Sequence, residues 1–257
     1  MKGVRATPGW RLWLMIGAVA YALFLVALLP AGLAWEQIRD RAWAPQGVTA
    51  QGISGTLWSG SAVRLTLPNG VVVYDMNWRF RPVALLTAQL EWQLSARPAG
   101  GHASGRVALG ARGLRVSDAR ADLDAASVIT PVPLVISGTL VLDLQLLALT
   151  RSGDVREAHG VLGWLDAGAG LPDAVPLGSL RAELDSTNEG GLRLDILDQG
   201  GPLIAEGTVV VDMAGRYRLD GLAGARSDAD PRLAQTLGML GTPDRSGRTP
   251  VHLSGSL

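Results

Sequence analysis

Leucines fall at every second position along Leu140-Val141-Leu142-Asp143-Leu144-Gln145-Leu146, and this two-residue period limits the fold more than any other feature of the chain. Side chains of an extended strand point alternately to its two faces, so such a run has one dry face and one wet face. Leu180-Arg181-Ala182-Glu183-Leu184 and Leu192-Arg193-Leu194-Asp195-Ile196 repeat the pattern with charges between the leucines. Weaker alternation marks Val73 to Phe80, Leu90 to Leu94, Arg106 to Leu109, Leu114 to Val116, Arg120 to Asp124, Val161 to Leu165, Ile204 to Val211 and Tyr217 to Asp220. The part of the chain from residue 48 to 257 is therefore expected to be one mainly β domain.

The punctuation sets the topology. Pro68-Asn69-Gly70 supplies the positive φ that a tight hairpin turn requires, and Ser152-Gly153-Asp154, Asn188 to Gly191 and Met213-Ala214-Gly215 read the same way. Successive strands are then antiparallel neighbours, in an elongated, curled sheet. Loose phrases such as Ser137-Gly138-Thr139-Leu140 and Glu206-Gly207-Thr208-Val209 recur without a strict period. Two segments depart from strand. Arg81 to Thr87 reads as a helical turn opened by Pro82. Asp230 to Gly241 reads as the one short C-terminal helix, with Asp230 as cap, Pro231 at the first position, Gly241 at the end and Leu233, Leu237 and Leu240 as one stripe laid on the sheet.

The N-terminal region has a different character. Leu12 to Trp35 holds no charged residue, and the run exceeds the roughly 20 residues a helix needs to cross about 30 Å of hydrocarbon. Trp10, Trp13 and Trp35 flank it, and Pro30 falls in its last turns, where a kink is tolerated. Lys2, Arg5 and Arg11 precede it without an acid, which favours the N-terminus inside. The expected organisation is a cytoplasmic segment 1–11, a single transmembrane helix 12–35, a connector 36–47 and a periplasmic β domain 48–257. Gly32-Leu33-Ala34 leaves open a cleaved signal peptide, although the apolar run is long for one. Either outcome exports the rest.

Composition and motifs say little about chemistry. Basic and acidic residues number 23 each, so no bulk charge draws a nucleic acid, and the absence of cysteine removes disulfides and thiolate chemistry. Gly55-Thr56-Leu57-Trp58-Ser59-Gly60 has the outer spacing of a phosphate loop, but Ser61-Ala62 follows where lysine and a hydroxyl residue belong. A bend between strands is the expected reading. His102, His159 and His252 lie far apart in sequence, no serine sits in a Gly-x-Ser-x-Gly elbow, and Asp122 and Asp124 fit a solvated strand face. Trp78, Trp92 and Trp164 fit a half-buried sheet core. No catalytic residue, metal ligand or cofactor is expected. The leucine face stays open to two readings: closed core, or a groove able to hold an acyl chain.

A resemblance ties these pieces together. A basic N-terminus and apolar helix are followed by Gly52-Ile53-Ser54-Gly55-Thr56-Leu57-Trp58-Ser59-Gly60, Trp78-Arg79-Phe80-Arg81-Pro82, Gly215-Arg216-Tyr217, Asp228-Ala229-Asp230-Pro231 and Leu237-Gly238-Met239-Leu240-Gly241. This order resembles the type II secretion system protein N family, also called general secretion pathway protein N. The resemblance implies a non-enzymatic accessory component of an inner-membrane platform, with other secretion components as partners, bound to that platform or to the outer-membrane secretin. It makes Gly55, Thr56, Leu57, Trp58, Gly60, Trp78, Pro82, Asp230, Pro231 and Gly241 landmark positions of structural character. The alternative is a lipid-binding or lipid-transferring envelope protein, because the Gly-Thr-Leu-Trp phrase is similar to ones in AsmA-like proteins.

Overall fold

The computed structural model describes residues 9–40, 47–67, 71–98, 100–127, 135–170 and 172–256. Helix α1 spans Gly9–Ala27 and α2 spans Ala31–Asp40. Fourteen strands follow: β1 Thr49–Gln51, β2 Ser54–Gly55, β3 Ser59–Thr66, β4 Val72–Phe80, β5 Gln89–Pro98, β6 His102–Gly110, β7 Gly113–Asp124, β8 Val135–Leu149, β9 Val155–Gly170, β10 Val175–Ser186, β11 Leu192–Asp198, β12 Leu203–Val211, β13 Arg216–Ala225 and β14 Thr249–Ser256. Helix α3, Pro231–Leu240, lies between the last two.

All fourteen strands form one antiparallel sheet in which β1, then β3 to β14, follow one another in sequence order, while β2 pairs only with β3. The mainly β reading holds, and the sheet is open. At about 4.8 Å per strand its path is about 58 Å across. The register gathers the alternating leucines onto one face: Leu144 lies across from Gly160, Leu184 from Leu194, Leu194 from Val209 and Val209 from Leu219. Arg181, Glu183, Arg193 and Asp195 fill the other face. The expected turns at 152–154, 188–191 and 213–215 are closed by hydrogen bonds that the amides of Thr150, Thr187 and Asp212 donate to the carbonyls of Asp154, Gly191 and Arg216. Pro68-Asn69-Gly70 lies outside the described residues, although Thr66 and Val72 beside it pair as expected.

Three irregularities had no signal in the alternation. Asp75, Asp118 and Asp166 have φ of 48°, 47° and 47°, and each sits where the register slips between neighbouring strands. Aspartate tolerates the left-handed region better than most residues, and such bulges bend and twist the strand that carries them.

The core is concentrated at one end. Leu233 and Leu237 of α3 are buried against Val175 and Leu203, with Leu177, Leu180, Ala205 and Ala223 around them. Asp230 accepts the Arg232 amide at 2.8 Å, and Pro231 opens the helix. Gly241 has φ 169°, an extended conformation any residue adopts. Its small size matters for another reason: a Cβ there would stand 3.1 Å from Thr249 Cγ2. The side chain of Leu240 lies outside the described residues.

The expected single helix over Leu12 to Trp35 is corrected. The helix ends at Ala27, a turn follows, and α2 starts at Ala31 and runs on into the expected connector. Pro30 is the cause: it has no amide hydrogen, and its ring clashes with the carbonyl four residues back, that of Val26. Among the described residues, no helix is long and apolar enough to cross a membrane.

Candidate functional site at the helix–sheet joint

The landmark residues of the first half of the chain converge where α1 meets the sheet. Ser54 pairs with Ser61 and Gly55 with Gly60, closing a tight hairpin. At its tip the Thr56 hydroxyl accepts the amides of Trp58 at 3.3 Å and Ser59 at 3.2 Å, and the Thr56 amide donates to Ser59 O at 2.8 Å. Gly55 has φ 87°, a conformation that excludes most side chains. Gly60 needs to lack a side chain because the Trp78 ring and the Ser54 carbonyl fill the space where a Cβ would stand.

Three indoles then fasten this loop. Trp78 Nε1 donates to Thr56 O at 3.0 Å, Trp92 Nε1 to Leu57 O at 3.1 Å, and Trp58 Nε1 to Val26 O at 2.8 Å. The last bond goes to a carbonyl that Pro30 deprives of its i+4 donor and that the Leu29 amide reaches at 3.3 Å. Leu57 also donates its amide to Leu29 O at 3.0 Å, and Pro30 forms an isolated bridge with Thr56. Phe80 lies edge-on to Trp58 at 4.7 Å between centroids, with Trp92 5.6 Å beyond it. Pro82 begins the 3-10 turn Pro82–Thr87 just past this cluster. Thus Gly55, Thr56, Leu57, Trp58, Gly60 and Trp78 share one joint with Pro82 at its rim. Asp230, Pro231 and Gly241 belong to α3 instead. Sequence reasoning missed Val26, Pro30, Phe80 and Trp92 as parts of the joint. Pro30 was the available signal, since a proline beyond the first turn of a helix removes the i+4 donor of the carbonyl four residues back.

The polar face brings the histidines to aspartates. His102 lies directly across from Asp122, His159 Nδ1 is 2.8 Å from Asp185 Oδ1, and His252 Nδ1 is 2.8 Å from Asp220 Oδ1. Proximity of this kind is invisible until the register is known. The pairs are exposed, and the imidazoles of His159 and His252 bond carboxylates. Among the described residues no group of three His, Cys, Asp or Glu could hold a metal ion.

At the α3 end, Asp198 fixes the turn that precedes β12. It accepts the amides of Gly200 at 3.1 Å and Ala205 at 3.3 Å and pairs with Arg226, whose Nε donates to Gly201 O at 2.6 Å. Burial alone would raise this carboxyl, but the two amides and the guanidinium together hold it below the ordinary carboxylate range.

The fold and joint define a class: a single open antiparallel sheet, capped at one end by a short helix and joined at the other to an apolar helix through an indole-bonded hairpin. Within that class the chain belongs to the type II secretion system protein N family, whose profile matches residues 46–252. It is 28% identical over 254 residues to type II secretion system protein N of Vibrio cholerae serotype O1, covering 95% of this chain and 94% of that relative. It is also 28% identical over 248 residues to the protein of the same name from Aeromonas hydrophila, covering 93% and 95%. No solved structure gives a significant match.

Proposed function

We propose that this chain is a non-catalytic accessory component of type II secretion, scaffolding or assembling the machinery in the periplasm while α1 holds it at the inner membrane. The observation that carries the reading is the family match over residues 46–252, which spans the hairpin side of the joint, nearly all of the sheet and α3. Attachment through α1 draws support from its large apolar side chains, which from Leu12 to Val26 stand 49–72% exposed where they are described. In this reading residues 1–11 lie in the cytoplasm and 48–257 in the periplasm, and the partners are platform proteins or the secretin. The landmark residues then serve as structure, setting how the sheet leaves the membrane.

A second reading has its own observation. Among the described residues α3 packs on the apolar face at one end, and the leucines farther along it, such as Leu94, Leu142 and Leu194, are half-buried. A face of this kind could hold acyl chains, as in AsmA-like proteins. The test is a mild-detergent pull-down of tagged full-length protein from its own cells, with co-purifying proteins and extracted lipids identified by mass spectrometry. Platform proteins or secretin without stoichiometric lipid support the scaffold. One or more lipids per chain with no secretion protein would replace it by the groove.

A further inference from the structure

The loop between β4 and β5 exposes apolar side chains beside the joint. Within Pro82–Thr87, Val83 is 69% exposed, Leu85 52% and Leu86 87%. The loop is firmly built. Thr87 Oγ1 donates to Ala84 O at 2.8 Å, the amide of Ala88 caps the turn from the left-handed region, and Arg81 pairs with Glu91 at 2.7 Å. A polar turn would close this hairpin equally well, so three outward apolar side chains on a fixed loop mark a contact surface.

Its neighbours supply the charge. A cavity of about 380 Å³ runs from Thr87 and Ala88 past Arg112 and Arg115 to Arg156 and Glu157. All three arginines are exposed and lack an ion pair among the described residues, whereas Arg81, Arg106 and Arg120 each have one. Guanidinium groups match phosphate oxygens in pairs. Antiparallel alternation puts the β4–β5, β6–β7 and β8–β9 turns, and with them this loop and cavity, along the same edge of the sheet as the C-terminus of α1, since Phe80 beside the loop packs on Trp58, which bonds Val26.

We infer that this end of the sheet is a second membrane contact: Val83, Leu85 and Leu86 enter the acyl boundary while Arg112, Arg115 and Arg156 bind the phosphodiester of an anionic phospholipid. The inference deepens the proposed attachment through α1 and rests on it. Apolar prongs, arginines without an ion pair among the described residues and an apolar helix meeting along one edge fit a bilayer surface, whereas a free phosphate would leave the prongs unexplained.

The absence of cysteine makes the test clean. Leu86→Cys in the full chain carries a spin label, with Ser246→Cys at the opposite end as control, in vesicles of phosphatidylcholine with and without phosphatidylglycerol. Collisions with oxygen and with a water-soluble nickel complex report depth. The expected result is a severalfold rise in the oxygen-to-nickel ratio at Leu86 when phosphatidylglycerol is present, lost in Arg112→Gln/Arg115→Gln/Arg156→Gln, with Ser246 water-like throughout. A Leu86 label as wet as Ser246 on chain that sediments with the vesicles overturns the second contact and leaves attachment by α1 standing. Chain that fails to sediment overturns both. Insertion indifferent to phosphatidylglycerol and to the arginines, or shielding seen only when other secretion proteins are added, overturns the lipid site.

Discussion

At the residue scale, Trp58 carries two separable interactions, a hydrogen bond to the helix and ring packing on Phe80. Trp58→Ala removes both, and the expected loss is about 2–4 kcal/mol of stability in thermal unfolding of the full chain in detergent. Trp58→Phe keeps most of the packing and leaves Val26 O without its indole donor, so about 1 kcal/mol is expected. An unchanged midpoint for Trp58→Ala would mean the indole is not what ties helix to sheet. Gly60→Ala is expected to cost about 1–3 kcal/mol, since the new methyl group can be accommodated only by moving the Trp78 ring or the hairpin backbone. Asp198 supplies a pH dependence. Its carboxyl is lowered from 3.8 in the folded chain, so between the folded and unfolded values the unfolded chain binds more protons and stability rises with pH. The brace is therefore complete above about pH 4 and is lost as the pH falls through the lowered value. Denaturant midpoints measured from neutral to acid pH should fall less steeply for Asp198→Asn at the acid end than for the parent chain.

At the element scale, α3 is held by two leucines and a cap. Leu237→Ala is expected to cost about 2–3 kcal/mol, because the side chain is buried and the site can close only by pulling the helix onto the sheet. Asp230→Ala should cost about 1 kcal/mol, the usual size of a lost N-cap. Hydrogen exchange would register both as faster labelling of 231–240. Labelling unchanged in Leu237→Ala would show that α3 does not depend on this packing. The break between α1 and α2 belongs to this scale too. Pro30 stops one helix and removes the i+4 donor of Val26 O, which takes the Leu29 amide and, from the hairpin tip, the Trp58 indole instead. A replacement that restores a donor, Pro30→Ala, is expected to extend the helix and loosen the hairpin, seen as faster exchange over 54–61.

At the scale of the whole molecule, a sheet in which each long described strand is hydrogen-bonded to its neighbours in sequence behaves almost as a linear array, with stability summed mainly from adjacent pairs. The joint and the α3 core lie near opposite ends of a path about 58 Å across. Their faults should therefore stay local. Trp58→Ala is expected to speed exchange in β3 to β5 and leave α3 unchanged, and Leu237→Ala to do the reverse. If either change speeded exchange at both ends, the array description would fail. The same geometry suits a component that fastens at one end and offers its face or far edge to partners.

The sequence by itself determined the fold class, because strand formation follows a period of two residues that any window of the chain displays. It determined the antiparallel order through turn residues, the existence of α3 through its cap and stripe, and the family through phrases such as Gly55 to Gly60 and Asp228 to Pro231. Tertiary structure alone decided what those phrases touch. Trp58 reaches a carbonyl 32 residues away, and Trp92 one 35 residues away, because register brings them there. It also decided that the apolar run from Leu12 breaks at Pro30, that histidines face aspartates, and that arginines from two turns share one cavity. Local pattern records which way a side chain faces, while its neighbours depend on the pairing of strands distant in sequence, and no single window contains that information.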